Sequence, residues 1–227
     1  MIIPTVPGFR HILTGIWWPL LWMFVWDVLI TLLYFAQPER YQDFQSSALS
    51  RTTLTLFGTG IVLFLGFRSN SAYARWWEGR VLWGLMINAS RNITRCALAF
   101  IDSADARARE LREAIVTNQV AYVHVLRCQL RGTDRAVPAY RILDAKDAER
   151  MLTMSNAANA LLNENARLAS QALAEGYIDT IQQSRLEAVN IDIANAQGGM
   201  ERIKNTPLPM QYRLFPQMFV RLFCILL

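Results

Sequence analysis

The chain has 227 residues, 53 % of them hydrophobic and 11 % aromatic, with 23 Lys and Arg against 18 Asp and Glu for a net charge of +5. That length makes one or two ordinary domains, and the apolar content is rich without being extreme, so the distribution of residues carries the information. The basic excess does not point to nucleic acid: 21 of the 23 cations are Arg, dispersed and interleaved with acids, as in Asp105-Ala106-Arg107-Ala108-Arg109-Glu110, which is the pattern of solvated or salt-bridged helix faces.

Residues 1–11 precede the first apolar run. Residues 12–35 then read ILTGIWWPLLWMFVWDVLITLLYF, twenty-four residues with a single charge. At 1.5 Å per residue this run is long enough to cross a ~30 Å hydrocarbon core with tilt. Its apolar core exceeds the h-region of a signal peptide, and Gln37-Pro38-Glu39-Arg40 follows in place of a small-residue cleavage site, so the segment is expected to stay in the mature protein. Asp27 is the one charge inside it. A carboxylate near mid-membrane costs about 2.5 to 3.5 kcal/mol on insertion scales unless it faces protein or water. Asp27 is therefore expected to point inward, either as a structural hydrogen-bond partner or as an ion-path or proton-linked site.

A loop over residues 36–50 leads to a second membrane helix, expected over 51–80 and running on into the cytoplasm. Its apolar part at 54–67 has fourteen residues, short of the ~20 needed to span, so its polar flanks belong at interfaces or against protein and water. Gly58, Val62 and Gly66 recur every four residues as one small face; Thr59, Leu63 and Phe67 form the neighbouring row at the same spacing. Either row could pack against another helix. Arg75, Arg80, Arg91 and Arg95 follow this span and Arg10 precedes the first, against only Arg40 and Arg51 between them. By the positive-inside tendency, the N-terminus and the long helical part are cytoplasmic. Trp76 and Trp77 beside Arg75 and Arg80 suit an anchor at the membrane-water interface.

Residues 81–206 read as a cytoplasmic helical domain. A helix over 107–130 places Leu111, Ile115, Tyr122, Leu126 and Leu130 near one face, with Gly132-Thr133-Asp134 and Pro138 ending it, and a loop follows. An alanine- and leucine-rich helix over 144–175 stops at Gly176, a position suited to a left-handed cap. In the next helix Leu186, Val189, Ile193, Ala196, Met200 and Ile203 alternate steps of three and four, a seam that wants a partner within the chain or in another subunit. Gly198-Gly199 within it costs roughly 1 kcal/mol per glycine against alanine, so a close helix contact or a bend is expected there. Thr206-Pro207-Leu208-Pro209 breaks the helix, and residues 207–227 begin a third span inside which the sequence stops, as a truncated chain would.

No catalytic or metal centre is legible. Cys96, Cys128 and Cys224 have no CxxC spacing; His11 flanks the first span, and His124, amid Tyr122, Val123 and Val125, reads as a packed or capping residue. A P-loop, a dinucleotide glycine pattern and a Ser-His-Asp cluster are all missing, so neither an enzyme nor a cofactor is expected.

The run Phe64-Leu65-Gly66-Phe67-Arg68-Ser69-Asn70-Ser71-Ala72-Tyr73-Ala74-Arg75-Trp76-Trp77-Glu78-Gly79-Arg80 closely resembles the signature segment of the bestrophin family of ion channels. The Asn205-Thr206-Pro207-Leu208-Pro209 re-entry and the order of apolar and helical segments support it. The resemblance implies an all-α membrane protein: transmembrane helices plus a long cytoplasmic helical bundle, assembled as a homopentamer around an axial pore. It places the narrow neck on Thr59, Leu63 and Phe67, where the family has three bulky apolar side chains. The Thr59 hydroxyl would wet one end, while Leu63 and Phe67 would gate by dewetting. It places a cytoplasmic aperture near Ile181. Animal members pass anions under calcium control through an acidic clasp beyond the last span, and bacterial relatives look cation-permeable. The implied partners are further copies of the chain, the lipid bilayer and small permeant ions, in a bacterial inner membrane. A membrane-tethered scaffold or signalling protein, recruiting through the 186–203 seam, is the alternative, and a secondary transporter resting on Asp27 the third.

Overall fold

A computed structural model of the chain describes residues 9–36 and 48–226. In chain order the elements are α1 (Phe9–Ala36), α2 (Ala48–Phe100), α3 (Ala106–Arg131), α4 (Ala136–Ile142), α5 (Ala145–Leu152), α6 (Ala157–Ala174), α7 (Thr180–Asn205) and α8 (Gln211–Leu226). They belong to two compact units, Met1–Ser71 with Leu208–Leu227 and Ala72–Pro207, and α2 contributes to both. The expected N-terminal segment over 1–11 lies largely, and the loop over 36–50 mostly, outside the described residues.

The first unit holds α1, the first half of α2, and α8. Among the described residues, two stretches are long and apolar enough to cross a membrane, Ile16–Ala36 and Thr52–Phe100, while the apolar part of α8, Leu214–Cys224, is shorter. The short apolar run of the second span is no separate helix. No Pro interrupts residues 68–100, so α2 runs for 53 residues and passes position 80 without a break. α1 bares large side chains around its circumference, including Trp18, Phe24, Leu29 and Phe35.

The second unit carries its own core. Met86, Ile93, Ala97 and Ile101 of α2 pack with Leu111, Ile115, Tyr122 and Leu126 of α3, Leu161, Leu168 and Ala172 of α6, and Leu186, Ile193 and Met200 of α7, all buried. The seam expected on α7 is therefore used inside its own chain, with Val189 and Ile203 half-buried at its edge. α3 begins where the Asp105 carboxylate accepts from the Arg107 amide and ends at Gly132, whose φ of 67° is left-handed. Gly176, at φ 80°, turns the chain out of α6 in the same way: the Tyr177 amide donates to the Ala172 carbonyl at 2.9 Å, closing a Schellman turn.

Two sequence expectations fail here. The stretch after Gly132 is not all loop, because Asp134 accepts from the Ala136 amide at 2.8 Å and starts the short helix α4. The single helix over 144–175 is two, α5 and α6. Between them Asn156 leaves helical geometry so that its side chain accepts from the Asn159 amide at 3.0 Å, an N-cap hidden among good helix formers.

A polar staple joins the start of α3 to the turn before α7. The Tyr177 hydroxyl donates to Asp105 at 2.5 Å, and Arg107 reaches Glu175 at 3.2 Å and Glu110 at 3.0 Å. The Tyr177 hydrogen bond, aided by the Arg107 amide, holds the Asp105 carboxyl below its usual range; Arg107 does the same for Glu175, with Gln171 assisting.

Candidate functional site

In the first unit, α2 packs on α8 through neither row as a whole. α2 meets α8 through Phe57, Gly60 and Phe64, spaced for one side of a helix. The Phe57 and Phe219 rings lie 5.8 Å apart, Phe64 stacks on Phe219 at 5.2 Å, and Phe64 meets Phe215 edge-on at 5.7 Å. A Cβ on Gly60 would sit 3.6 Å from the Phe219 ring, an ordinary van der Waals distance, so the ring packs over this position without requiring glycine there. Of the small row, Gly58 touches this contact through Phe223, whereas Val62 is 72 % exposed and Gly66 faces open space.

Thr59, Leu63 and Phe67 run beside this contact on α2, with Phe67 seven positions from Gly60 and so close to the same side. All three are exposed within the chain, and they follow one another by one helical turn. The Thr59 hydroxyl donates back to the Thr55 carbonyl at 2.9 Å, so its proton is already committed and only acceptor capacity is left for water. Asp27, expected to point inward, is exposed on α1, where its backbone carbonyl accepts from the Thr31 hydroxyl at 2.7 Å.

The second unit carries Ile181 in the first turn of α7, 71 % exposed although it is a large aliphatic side chain at a helix start. That turn is fixed by a capping box: Asp179 accepts from the Gln182 amide at 2.7 Å, and the Gln182 side chain accepts from the Asp179 amide at 2.9 Å. The same unit has an open cavity of about 750 Å³ between α2 and α3, floored by Met86, Ile87, Leu98, Val120 and Val123 and edged by Arg91 and Arg95. His124, half-buried, lines it; among the described residues no group of three or more His, Cys, Asp or Glu could hold a metal ion.

Arg75 is not the simple surface anchor that its tryptophan neighbours suggest. Its guanidinium reaches the C-terminal end of α7, donating to the Ile203 carbonyl at 2.6 Å and to the Thr206 carbonyl. One turn on, Glu78 pairs with Arg202, and a further turn on, Leu82 presses against Gly199, where a Cβ would come within 2.7 Å of a Leu82 methyl. Gly199 is thus the close helix contact expected of the glycine pair, and Gly198 faces open space. Arg80 does stay with the rings, its guanidinium 5.6 Å from the centre of Trp76.

Deeper in this unit the Tyr122 hydroxyl donates to Gln197 at 2.9 Å, and Gln197 donates to Glu201 at 2.8 Å. Burial pushes the Tyr122 phenol well above its ordinary range, with the Glu201 charge adding to the effect. No periodic signal marks this pair, because Gln197 sits one position off the α7 seam.

Comparison with known proteins settles the family. The sequence pattern of the bacterial/fungal bestrophin proteins matches residues 9–227. The chain belongs to the bestrophin family. Among curated bestrophin relatives, a voltage-dependent anion channel-forming protein of Mesorhizobium japonicum is 33 % identical over 83 % of this chain and 59 % of its own length. One from Ralstonia nicotianae is 35 % identical over 78 % of this chain and 57 % of its own length, and one from Escherichia coli K12 is 34 % identical over 76 % and 55 %. The chain thus spans a little over half the length of these relatives. Among solved structures, a crystal structure of a bacterial bestrophin homologue from Klebsiella pneumoniae carrying one substitution superposes with a TM-score of 0.78 at 27 % identity, covering 91 % of this chain and 75 % of that one. Another variant of that homologue gives a TM-score of 0.79 at 28 % identity, with 93 % and 75 % covered. The all-helical bestrophin fold and a membrane protein follow from these matches.

Proposed function

We propose that this bestrophin forms an ion channel: a homopentamer in a bacterial inner membrane, with α1, the first half of α2, and α8 in the bilayer and the N-terminus on the cytoplasmic side. One observation carries the reading. Thr59, Leu63 and Phe67 recur turn by turn on α2 and stay exposed, beside the residues of the same helix that pack on α8. If copies place this row on a shared axis, rings of Leu63 and Phe67 form a hydrophobic neck, where an ion loses hydration with no polar group to replace it. Thr59, its proton committed to Thr55, offers only oxygen lone pairs at the neck's wet end. Ile181, exposed on a capped helix start, makes the second ring, a cytoplasmic aperture.

Ring assembly is consistent with the apolar cavity between α2 and α3, which leaves Ile87, Leu98 and Val120 uncovered in one copy. The names of the curated relatives say anion, whereas the family resemblance implied cations for bacterial members. The scaffold alternative loses its footing because its docking seam, Leu186 to Ile203, is used in the unit's own core.

Purified protein in a planar bilayer under asymmetric NaCl tests the reading. Discrete currents that grow in Leu63→Ala plus Phe67→Ala are the expected result, and the reversal potential names the ion. A silent bilayer from correctly assembled oligomer contradicts it.

A further inference from the structure

Two sequence features that read separately, the arginine before Trp76-Trp77 and the Pro207-Leu208-Pro209 break, meet at one place. An α-helical carbonyl accepts from the amide four residues on. For Ile203 that residue is Pro207, and for Asn205 it is Pro209, neither of which has an N–H. The prolines also push the residues before them out of helical geometry: Thr206 sits at φ −111° and ψ 87°. The end of α7 is therefore short of donors by construction. Arg75, half-buried, brings its donors from α2, to the Ile203 carbonyl at 2.6 Å and to the Thr206 carbonyl. Its positive charge also lies at the negative end of the α7 dipole. Behind it, Glu78 on Arg202 and Leu82 on Gly199 continue the same edge of α2 along the last two turns of α7.

We infer that Arg75 is a positioning residue for conduction: it caps α7 in place of the amide that Pro207 removes from the Ile203 carbonyl, and so fixes the helix that carries Ile181 against α2. The inference rests on the channel reading for its role in conduction, while the cap itself does not. A planar guanidinium can serve two carbonyls at once; an ammonium is a single point charge. Arg75→Lys is thus expected to assemble normally and fall short at the cap. Losing one charge-assisted hydrogen bond shifts an equilibrium by on the order of tenfold.

The test has two parts. In thermal unfolding of the detergent-solubilised oligomer, Arg75→Gln is measured in the parent and in Pro207→Ala, a substitution that restores an amide for Ile203 and frees Thr206 to be helical. The expected result is a melting-temperature loss in the parent that shrinks by at least about half in the Pro207→Ala background, since sites sharing a partner do not add. An equal loss in both backgrounds overturns the cap. In single-channel recording, Arg75→Lys is expected to lower open probability by about tenfold with unitary conductance and reversal potential unchanged. A shifted reversal potential would mean that Arg75 meets the ions itself, and an unchanged open probability that it positions nothing; either overturns the role. A parent oligomer that carries no current removes the channel reading and with it the role in conduction, whereas the thermal cycle still reports on the cap.

Discussion

The two units of this chain bury apolar surface in opposite ways. In the second, Met86, Ile93, Tyr122, Leu161 and Ile193 are each at most 1 % exposed, packed by neighbours from four helices. In the first, Trp18 is 68 % exposed, Phe24 65 %, Phe35 76 % and Val62 72 %, and α2 meets α8 through an aromatic seam. An average composition hides this division. Such surface, bare in a single copy, suits a lipid surrounding, and the hydrophobic effect that drives the second unit together has no counterpart between helices already in an apolar solvent. The exposure that would mark a failed fold in water is what a membrane helix presents.

Truncated side chains separate the two units most directly. Leu161→Ala, in the core of the second unit, is expected to cost about 2 to 5 kcal/mol of unfolding free energy through lost burial and a residual cavity. Leu29→Ala on exposed α1 is expected to cost below about 1 kcal/mol, because no packed neighbour loses contact. Circular dichroism of the solubilised protein during denaturant unfolding gives both values, and similar costs would contradict the division.

Acid sharpens the same contrast by a smaller amount. Asp27 is the only carboxylate among the described residues of the first unit, whereas the second has Glu164 held below its usual range by the Arg167 hydrogen bond, with Asp105 and Glu175 lowered likewise. These groups ionise more readily in the folded state, so their stabilisation is fully present above the ordinary carboxylate range near pH 4 and is lost as pH falls through the lower folded values. Tyr177 runs the other way. Its hydrogen bond to Asp105 raises the phenol, so that contribution is present below about pH 10 and lost as pH rises through the higher folded value. Melting temperature against pH should therefore fall at both ends, and Glu164→Gln should flatten the acid side. An acid limb unaltered by that substitution would place the titrating groups elsewhere.

How far the sequence can be read also divides along the two units. The helices over 12–35 and 107–130 and the α7 seam are legible because length and periodicity record what each face will touch. The α4 helix and the break between α5 and α6 are not, since the turn at Asp134 before α4 and the Asn156 cap of α6 are set by side-chain hydrogen bonds, which periodicity does not see. Among the rows of α2, spacing alone cannot tell Gly58-Val62-Gly66 from Thr59-Leu63-Phe67, and the real contact uses Phe57, Gly60 and Phe64. The only sequence trace of that choice is the Phe215, Phe219 and Phe223 repeat on α8, which supplies the facing rings. Arg75 reads as an anchor in the sequence because its partners are backbone carbonyls 128 and 131 positions away. The signal is nonetheless present in Pro207, which leaves the Ile203 carbonyl without its helical donor.

The channel reading stands on where the Thr59, Leu63 and Phe67 row faces. The most direct measurement places a single cysteine at Phe67, and separately at Val62 on the adjacent row, after Cys96, Cys128 and Cys224 are replaced by serine, and applies a charged, membrane-impermeant thiol reagent during bilayer recording. A neck at this row predicts that current through Phe67→Cys channels is blocked within the exposure, while Val62→Cys channels conduct unchanged. Modification of Val62→Cys with no effect at Phe67→Cys would put the row against lipid and contradict the neck.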